Sequence, residues 1–185
     1  MMVFRPEDLA KSTSIYGKAK VVNQVISLVR STLSVEGFTP DAVSNGWIRG
    51  WFEKEQGHLR LLITNGEVAG LVYVDRIAEP NSPHVGKCNL RCYAVGEGYR
   101  RQGVGSYLVH LALALPHVQE EEEVYCDVKT VNKASCIILK TEAAKAGRGW
   151  EPVGVFDVEG DQLRTPDEAA INEDLRYVMR KGGTS

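Results

Sequence analysis

The sequence has no cysteine pair at CxxC spacing and no histidine at zinc-finger distance from a cysteine, which argues against a structural metal. Its four cysteines, Cys88, Cys92, Cys126 and Cys136, read as buried free thiols. Long apolar runs are missing too. The longest, Tyr107 to Leu115, is interrupted by His110 and is far too short for a bilayer, so no membrane association is expected. The opening MMVFRPEDLAKS lacks the apolar segment of a secretory signal, and the expected compartment is the cytoplasm, with reduced cysteines. Neither charge sign dominates. A net charge of -2 gives no global field for a polyanion, and nucleic acid is not the expected partner. No internal period repeats. With 43% apolar and 25% charged residues over 185 positions, the composition fits one globular domain covering residues 1–185, as a monomer or homodimer.

What is present alternates between helical and extended patterns. Val3 to Arg5 reads as a short strand ended by Pro6, because the proline ring removes a backbone donor. From Lys18 to Leu33, the residues Val22, Val25, Ile26, Val29 and Leu33 recur at helical spacing and form one buried stripe. Thr39-Pro40-Asp41 is a helix-start signal, and the helix it opens would carry Val43, Trp47 and Trp51. His58 to Thr64 and Glu67 to Val74 are β-rich runs joined by Asn65-Gly66, a pair suited to the type I′ turn of a hairpin. Glu79 to Gly86, with Pro80 and Pro83, is a loop before a strand over Lys87 to Val95. Gly103 to Leu115 is predicted helical and stopped by Pro116. The acidic run Glu120 to Glu123 reads as a solvated connection to a strand over Val124 to Lys129. A helix over Asn132 to Ala146, closed by Gly147, is followed by strands over Trp150 to Val158 and Asp174 to Arg180, with Gly160 to Asn172 between them. A hairpin followed by strand-helix-strand units predicts an α/β fold. Its mixed central β-sheet should be flanked by helices, antiparallel at its start and partly parallel at its centre.

One stretch carries chemistry. Tyr93-Ala-Val-Gly-Glu-Gly-Tyr-Arg-Arg-Gln-Gly-Val-Gly105 runs from a strand straight into a helix. Gly103 and Gly105 remove side chains where a ligand would approach the main chain, and the first helical amides have no internal partners. That makes an anion cradle for a diphosphate, with Arg100 and Arg101 adding charge. A glycine-rich turn can equally be structural. Walker A is excluded by the missing Gly-Lys-Ser/Thr ending, and a dinucleotide fingerprint by the mid-chain position.

Arg100-Arg-Gln-Gly103-Val-Gly105 resembles the R/Q-x-x-G-x-G/A signature of the GNAT acyltransferase superfamily. The similarity extends to Val3-Phe-Arg-Pro, the Asn65-Gly66 hairpin, Asn132-Lys-Ala-Ser135 opening a helix, and Gly149-Trp150 entering the sixth strand. It implies the GNAT fold and transfer of an acetyl group from acetyl-CoA, or another acyl-CoA, to an amine of a small molecule or protein. The implied pyrophosphate site is Arg100, Arg101, Gln102, Gly103, Val104, Gly105 and Ser106. Backbone groups of Tyr93, Ala94 and Val95 would pair with the pantetheine arm, and Asn132 and Ser135 would contact CoA. Asn132 reads equally well as a plain helix cap. Positioning a thioester that is already activated would be the main catalytic contribution.

The resemblance weakens at the proton-transfer groups. The tyrosine that many relatives carry seven residues beyond the asparagine is Leu139 here. The general acid would then be Cys136, Tyr125 or a water. The strand Lys87 to Val95 has no carboxylate, which leaves Asp75, Asp127, Glu97 or a water as candidate base. Each acid also reads as an exposed charge or local cap. Trp47, Trp51, Tyr73 and Tyr93 either line the acceptor side or pack the core. His58, His84, His110 and His117 are scattered and read as surface or turn residues. A competing expectation is a GNAT-fold protein that binds an acyl-CoA without turning it over.

Overall fold

The alternation of β-branched and apolar runs with amphipathic ones is realised as eight strands and five α-helices among the described residues. The computed structural model describes residues 2–4, 17–35, 45–53, 57–157, 159–171 and 173–182. Along the chain these are β1 (Met2–Phe4), α1 (Lys18–Val35), α2 (Asn45–Gly50), β2 (His58–Thr64), β3 (Glu67–Arg76) and β4 (Cys88–Val95). A 3-10 turn (Glu97–Tyr99) leads to α3 (Val104–Leu113), α4 (Pro116–Glu120), β5 (Glu123–Lys129), α5 (Lys133–Lys145) and β6 (Arg148–Phe156). β7 (Gln162–Arg164), a second 3-10 turn (Pro166–Glu168) and β8 (Asp174–Lys181) complete it. The strands are hydrogen-bonded in the order β1-β2-β3-β4-β5-β8-β6-β7. β1 and β2 run antiparallel, β4 and β5 parallel, and β8 antiparallel to both β5 and β6. This is the expected mixed sheet flanked by helices. The Thr39-Pro40-Asp41 start, Val43, the end of the first strand at Arg5 and Pro6, Val158 and Asn172 lie outside the described residues.

The chain forms two compact units. In the first, Met1–Tyr73 with Cys92–Leu108, Asn65 (φ 51°) and Gly66 (φ 80°) make the anticipated hairpin turn. Val21, Val22, Val25, Ile26 and Val29 of α1 and Ile48 of α2 are buried against Leu59, Leu61, Leu71 and Tyr73 of β2 and β3. Gln24 pins the hairpin to α1, donating to the Gly66 carbonyl (3.4 Å) and accepting from the Val68 amide (3.3 Å). Trp51 stacks on Tyr73 with ring centroids 4.6 Å apart and belongs to the core. Trp47 meets Trp51 edge-on (4.7 Å) and stays 38% exposed.

The second unit, Val74–Arg91 with Val109–Ser185, departs from the sequence expectations in three places. Pro116 ends nothing: the preceding helix stops at Leu113, and the proline occupies the first turn of α4, where its missing N–H costs no hydrogen bond. The acidic run is also more than a solvated connection. Glu120 closes α4, Glu121 pairs with Arg76, Glu122 with Lys181 (3.4 Å), and Glu123 opens β5 held by Arg180 (3.0 Å). Third, the segment from Gly160 onward contains β7 paired to β6. Its three residues, all exposed, were too short for an alternation to register. Arg148 begins β6 two residues before the expected Trp150 and is 4% exposed. Its guanidinium donates to the carbonyls of Val118 (2.8 Å) and Glu121 (2.9 Å), and more weakly to Glu122 and Met179 (3.4 Å each). It thereby adds a second donor to the Val118 carbonyl, which also accepts from the Glu121 amide (3.3 Å), and supplies one to the Glu121 carbonyl just past the helix.

Candidate active site

The Arg100 to Gly105 turn lies in the first unit, and its backbone explains its composition. Arg101 (φ 60°) and Gly103 (φ 79°) both adopt left-handed conformations, which cost an ordinary residue about 1–2 kcal/mol. A Cβ on Gly103 would meet nothing within 4 Å, so the glycine is required by its dihedral rather than by crowding inside the protein. Tyr107 donates to the Gly103 carbonyl (3.0 Å), whereas the amides of residues 101–106 have no hydrogen-bond partner among the described residues. Several N–H groups at the start of α3 without partners among the described residues suit a phosphate-sized anion. The residues present therefore fit the diphosphate of a coenzyme A thioester.

Side chains stiffen the turn. Gln102 donates through Nε2 to the Gly98 carbonyl (2.8 Å), and the Gly96 amide donates to the Ala69 carbonyl (3.0 Å). Arg100 donates through Nε to the Val95 carbonyl (3.3 Å), so one main-chain acceptor expected for a pantetheine arm is engaged in the free protein. Tyr93 is half-buried and Ala94 buried. Val104 and Gly105 are buried and Ser106 half-buried, while Arg101 and Gln102 are exposed. Gly70 of β3 brings α3 close: a Cβ there would stand 2.8 Å from Leu108 Cδ1 and 3.0 Å from the Ala94 carbonyl oxygen. Glu97 begins the 3-10 turn and is exposed.

The other expected residues lie in the second unit. Asn132 Oδ1 accepts from the Ser135 amide (3.1 Å), which is the helix-cap geometry. Leu139 is 1% exposed, a core residue of α5. Burial pushes the pKa of the Cys136 thiol up, with the Tyr177 hydroxyl acting in the opposite direction.

Asp75 accepts from Arg91 Nε at both carboxylate oxygens (2.9 and 3.0 Å). Asp127 accepts from Arg176 at both as well (2.8 and 3.1 Å). Glu79 joins the two arginines, lying 3.3 Å from Arg91 and 3.6 Å from Arg176. These carboxylates spend their lone pairs on guanidinium groups. Tyr125 donates its hydroxyl to Glu123 (2.9 Å), and burial first, then that partner, push its pKa up to about 12. A proton held that firmly transfers poorly at neutral pH.

Sequence reasoning missed the surroundings of Tyr125. Asn89 on β4 is the in-register partner of Tyr125 and 1% exposed, and neither polar atom of its amide has a hydrogen-bond partner among the described residues. Buried and unsatisfied, such an amide costs about 1–3 kcal/mol per group. His84, expected at the surface or in a turn, lies in the loop before β4, but its ring stacks on Tyr125 at 4.4 Å and its Nε2 is buried without a partner. The signal available was a polar residue inside the apolar strand Cys88-Asn89-Leu90. Among the described residues, no group of three or more metal-ligating side chains occurs, and no helix is long and apolar enough to cross a membrane.

Comparison with known proteins places these features in context. The sequence profile of the Acetyltransferase (GNAT) family matches residues 23–139. No curated protein matches the chain in sequence. Among solved structures, the chain is similar to diaminobutyrate acetyltransferase EctA from Paenibacillus lautus, in complex with L-2,4-diaminobutyric acid and coenzyme A. The identity is 17% and the TM-score 0.65, covering 100% of this chain and 96% of that one. It is also similar to Naa20 of Chaetomium thermophilum in complex with a bisubstrate analogue (19%, TM-score 0.57, covering 98% and 86%). A third is an aminoglycoside acetyltransferase from an uncultured soil metagenomic sample in complex with sisomicin (14%, TM-score 0.53, covering 76% and 86%). At these identities the likeness is one of fold.

Proposed function

The chain belongs to the GNAT acetyltransferase family, and from that premise we propose that it transfers the acetyl group of acetyl-CoA to a primary amine of a small molecule or protein. The observation that carries the reading is the row of amides at residues 101–106 that have no partner among the described residues, with Gly103 at φ 79°. In this reading those amides, the N-terminal end of α3 and the Arg101 side chain hold the diphosphate. Tyr93, Ala94 and Val95 offer main-chain groups to the pantetheine arm. The bound thioester supplies an acyl carbon that is already electrophilic. The chain's own task is to orient the reactants and move protons.

Of the candidate proton acceptors, Asp75 and Asp127 are tied to arginines and Glu97 is exposed, which favours an ordered water over a direct carboxylate base. The buried Leu139 and the committed Tyr125 hydroxyl favour departure of CoA as a thiolate without a dedicated tyrosine acid. They also motivate the second reading, a protein that binds an acyl-CoA without turnover. Four free cysteines support a reducing compartment, proposed to be the cytoplasm. The test is release of free CoA thiol from acetyl-CoA with putrescine, ethanolamine, lysine, glucosamine and a peptide amino terminus. Thiol release with at least one acceptor is expected. Tight acetyl-CoA binding in calorimetry with no release on any acceptor would establish the second reading instead.

A further inference from the structure

Helix α5 distributes its side chains in the reverse of the usual order for a surface helix. Its one acidic residue, Glu142, is buried and paired with Lys145 (2.6 Å), while Ile137 stands 66% exposed. A surface helix ordinarily turns its apolar residues inward and its charges outward, and a local rule broken without a gain to the fold points to function. Ala134, Thr141 and Ala144, three, four and seven residues from Ile137, are exposed as well, so the outer face is a strip poor in charge. Lys133 and Lys140 border it. Both are exposed, and neither has an ion pair among the described residues. Val131, two residues before the helix, is a further exposed apolar side chain.

The second unit also carries a patch of opposite charge. β7 is the last strand in the sheet order, so the backbone groups on its outer side face no other strand among the described residues, an arrangement that invites pairing unless it is covered. Leu163 at its centre is 60% exposed, and Ile171 beyond the second 3-10 turn is 87% exposed. The segment Gly160 to Glu173 holds Asp161, Asp167, Glu168 and Glu173 against Arg164 alone. Arg164 is taken up by Glu173, which leaves Asp161, Asp167 and Glu168 exposed around the apolar residues. α5 packs on β6, and β7 pairs with the same strand. The basic strip and the acidic patch therefore flank one strand of one unit.

We propose that the chain forms a two-fold dimer in which the lysine-bordered face of α5 on one protomer docks against the acidic β7 segment of the other, with the contact made twice. Charge selects this occupant. Association of like patches would set lysine against lysine or acid against acid, which is repulsive. Cross-pairing sets Lys133 and Lys140 against Asp161, Asp167 and Glu168, and it brings Ile137 to Leu163 and Ile171 as the apolar centre of the contact. A two-fold axis repeats the contact reciprocally, so assembly closes at two copies. The same docking covers the exposed edge strand. The dimer goes beyond the acetyl-transfer reading and does not rest on it.

The test is sedimentation velocity at loadings from about 1 to about 100 μM, a range in which interfaces of standard size and ordinary quality dissociate. Wild type should pass from monomer to dimer within that range, and less readily at high salt. Ile137→Glu, the pair Lys133→Glu with Lys140→Glu, and Asp167→Lys should each weaken the dimer at least about 10-fold. Their urea midpoints should stay near wild type, because these side chains are exposed. The decisive arm mixes the lysine-reversed chain with Asp167→Lys. Each is weakened alone, yet the mixture should form a heterodimer within a few-fold of wild type: one contact pairs the reversed charges and the other keeps the original ones. A wild type that stays monomeric, or that grows past the dimer, overturns the proposal. So does a dimer indifferent to the three substitutions, or a mixture no stronger than its parts, since the two patches then do not meet. No arm involves acetyl-CoA, so failure of the transferase reading leaves this test intact.

Discussion

At the scale of single residues, Gly103 separates a conformational demand from a spatial one. Its φ of 79° excludes β-branched side chains, while nothing within 4 Å would obstruct a Cβ. Gly103→Val should therefore weaken acetyl-CoA binding at least 10-fold by calorimetry through a rearranged turn, whereas Gly103→Asn, which tolerates the left-handed region, should remain within a few-fold of wild type. Equal affinities for wild type and the valine variant would contradict the assignment of this turn. His84 supplies a pH test. Its pKa in the fold lies below that of an unfolded chain because burial and Arg176 disfavour the imidazolium. As pH falls below the ordinary histidine value of about 6.5, the unfolded chain binds a proton that the folded chain does not, so stability declines with acidity. His84→Phe, which retains a ring on Tyr125, should narrow the gap between urea midpoints at pH 7.5 and pH 5.5; an unchanged gap would refute this linkage. The site was legible only where chemistry is written in the backbone. Gly103 and Gly105 announce a turn, but Asp75 and Asp127 acquire arginine partners 16 and 49 residues away, and Asn89 comes beside Tyr125 only through strand register. Those are tertiary facts that no local pattern encodes.

Elements were read most securely where a period or a turn dipeptide was present. The Val22, Val25, Ile26 and Val29 part of the α1 stripe, the Asn65-Gly66 hairpin and the Asn132 cap emerged where expected, because burial on one face and positive φ angles are local requirements, while the Leu33 side chain lies outside the described residues. Short pieces escaped. α4 has 5 residues and β7 has 3, fewer than two periods of either pattern, and their stability comes from partners distant in sequence. Arg148 is such a partner for α4. Arg148→Met should cost about 2–4 kcal/mol, since the carbonyls of Val118 and Glu121 lose buried donors. The measurement is a urea midpoint at constant slope, and a loss below ~0.5 kcal/mol would show that water replaces the guanidinium. Gly70 does the corresponding service for α3. Gly70→Ala places a methyl 3.0 Å from the Ala94 carbonyl oxygen, which cannot move without moving β4. A stability loss of about 1–3 kcal/mol is expected, together with weaker acetyl-CoA binding as the first turn of α3 shifts. Stability lost with affinity intact would separate packing from the cradle.

For the whole molecule, a net charge of -2 provides no long-range attraction for a polyphosphate, so affinity must come from local main-chain donors. A ligand held by the folded chain and not by the unfolded one raises stability by mass action, about 2.7 kcal/mol at a concentration 100-fold above Kd. For a chain of this length each kcal/mol moves the thermal midpoint by about 2–4 °C, so saturating acetyl-CoA should raise Tm by about 5–10 °C. Free CoA should reproduce most of that rise, because the proposed grip is on the phosphates and pantetheine rather than on the acetyl group. Gly103→Val should show almost none of it at the same concentrations, even if its own Tm is near that of wild type. The experiment is indifferent to whether the chain turns its ligand over, and therefore tests the cradle separately from catalysis. A full shift in the valine variant would place the binding site elsewhere, and absence of any shift in the wild type would remove the physical basis for acetyl-CoA as the donor.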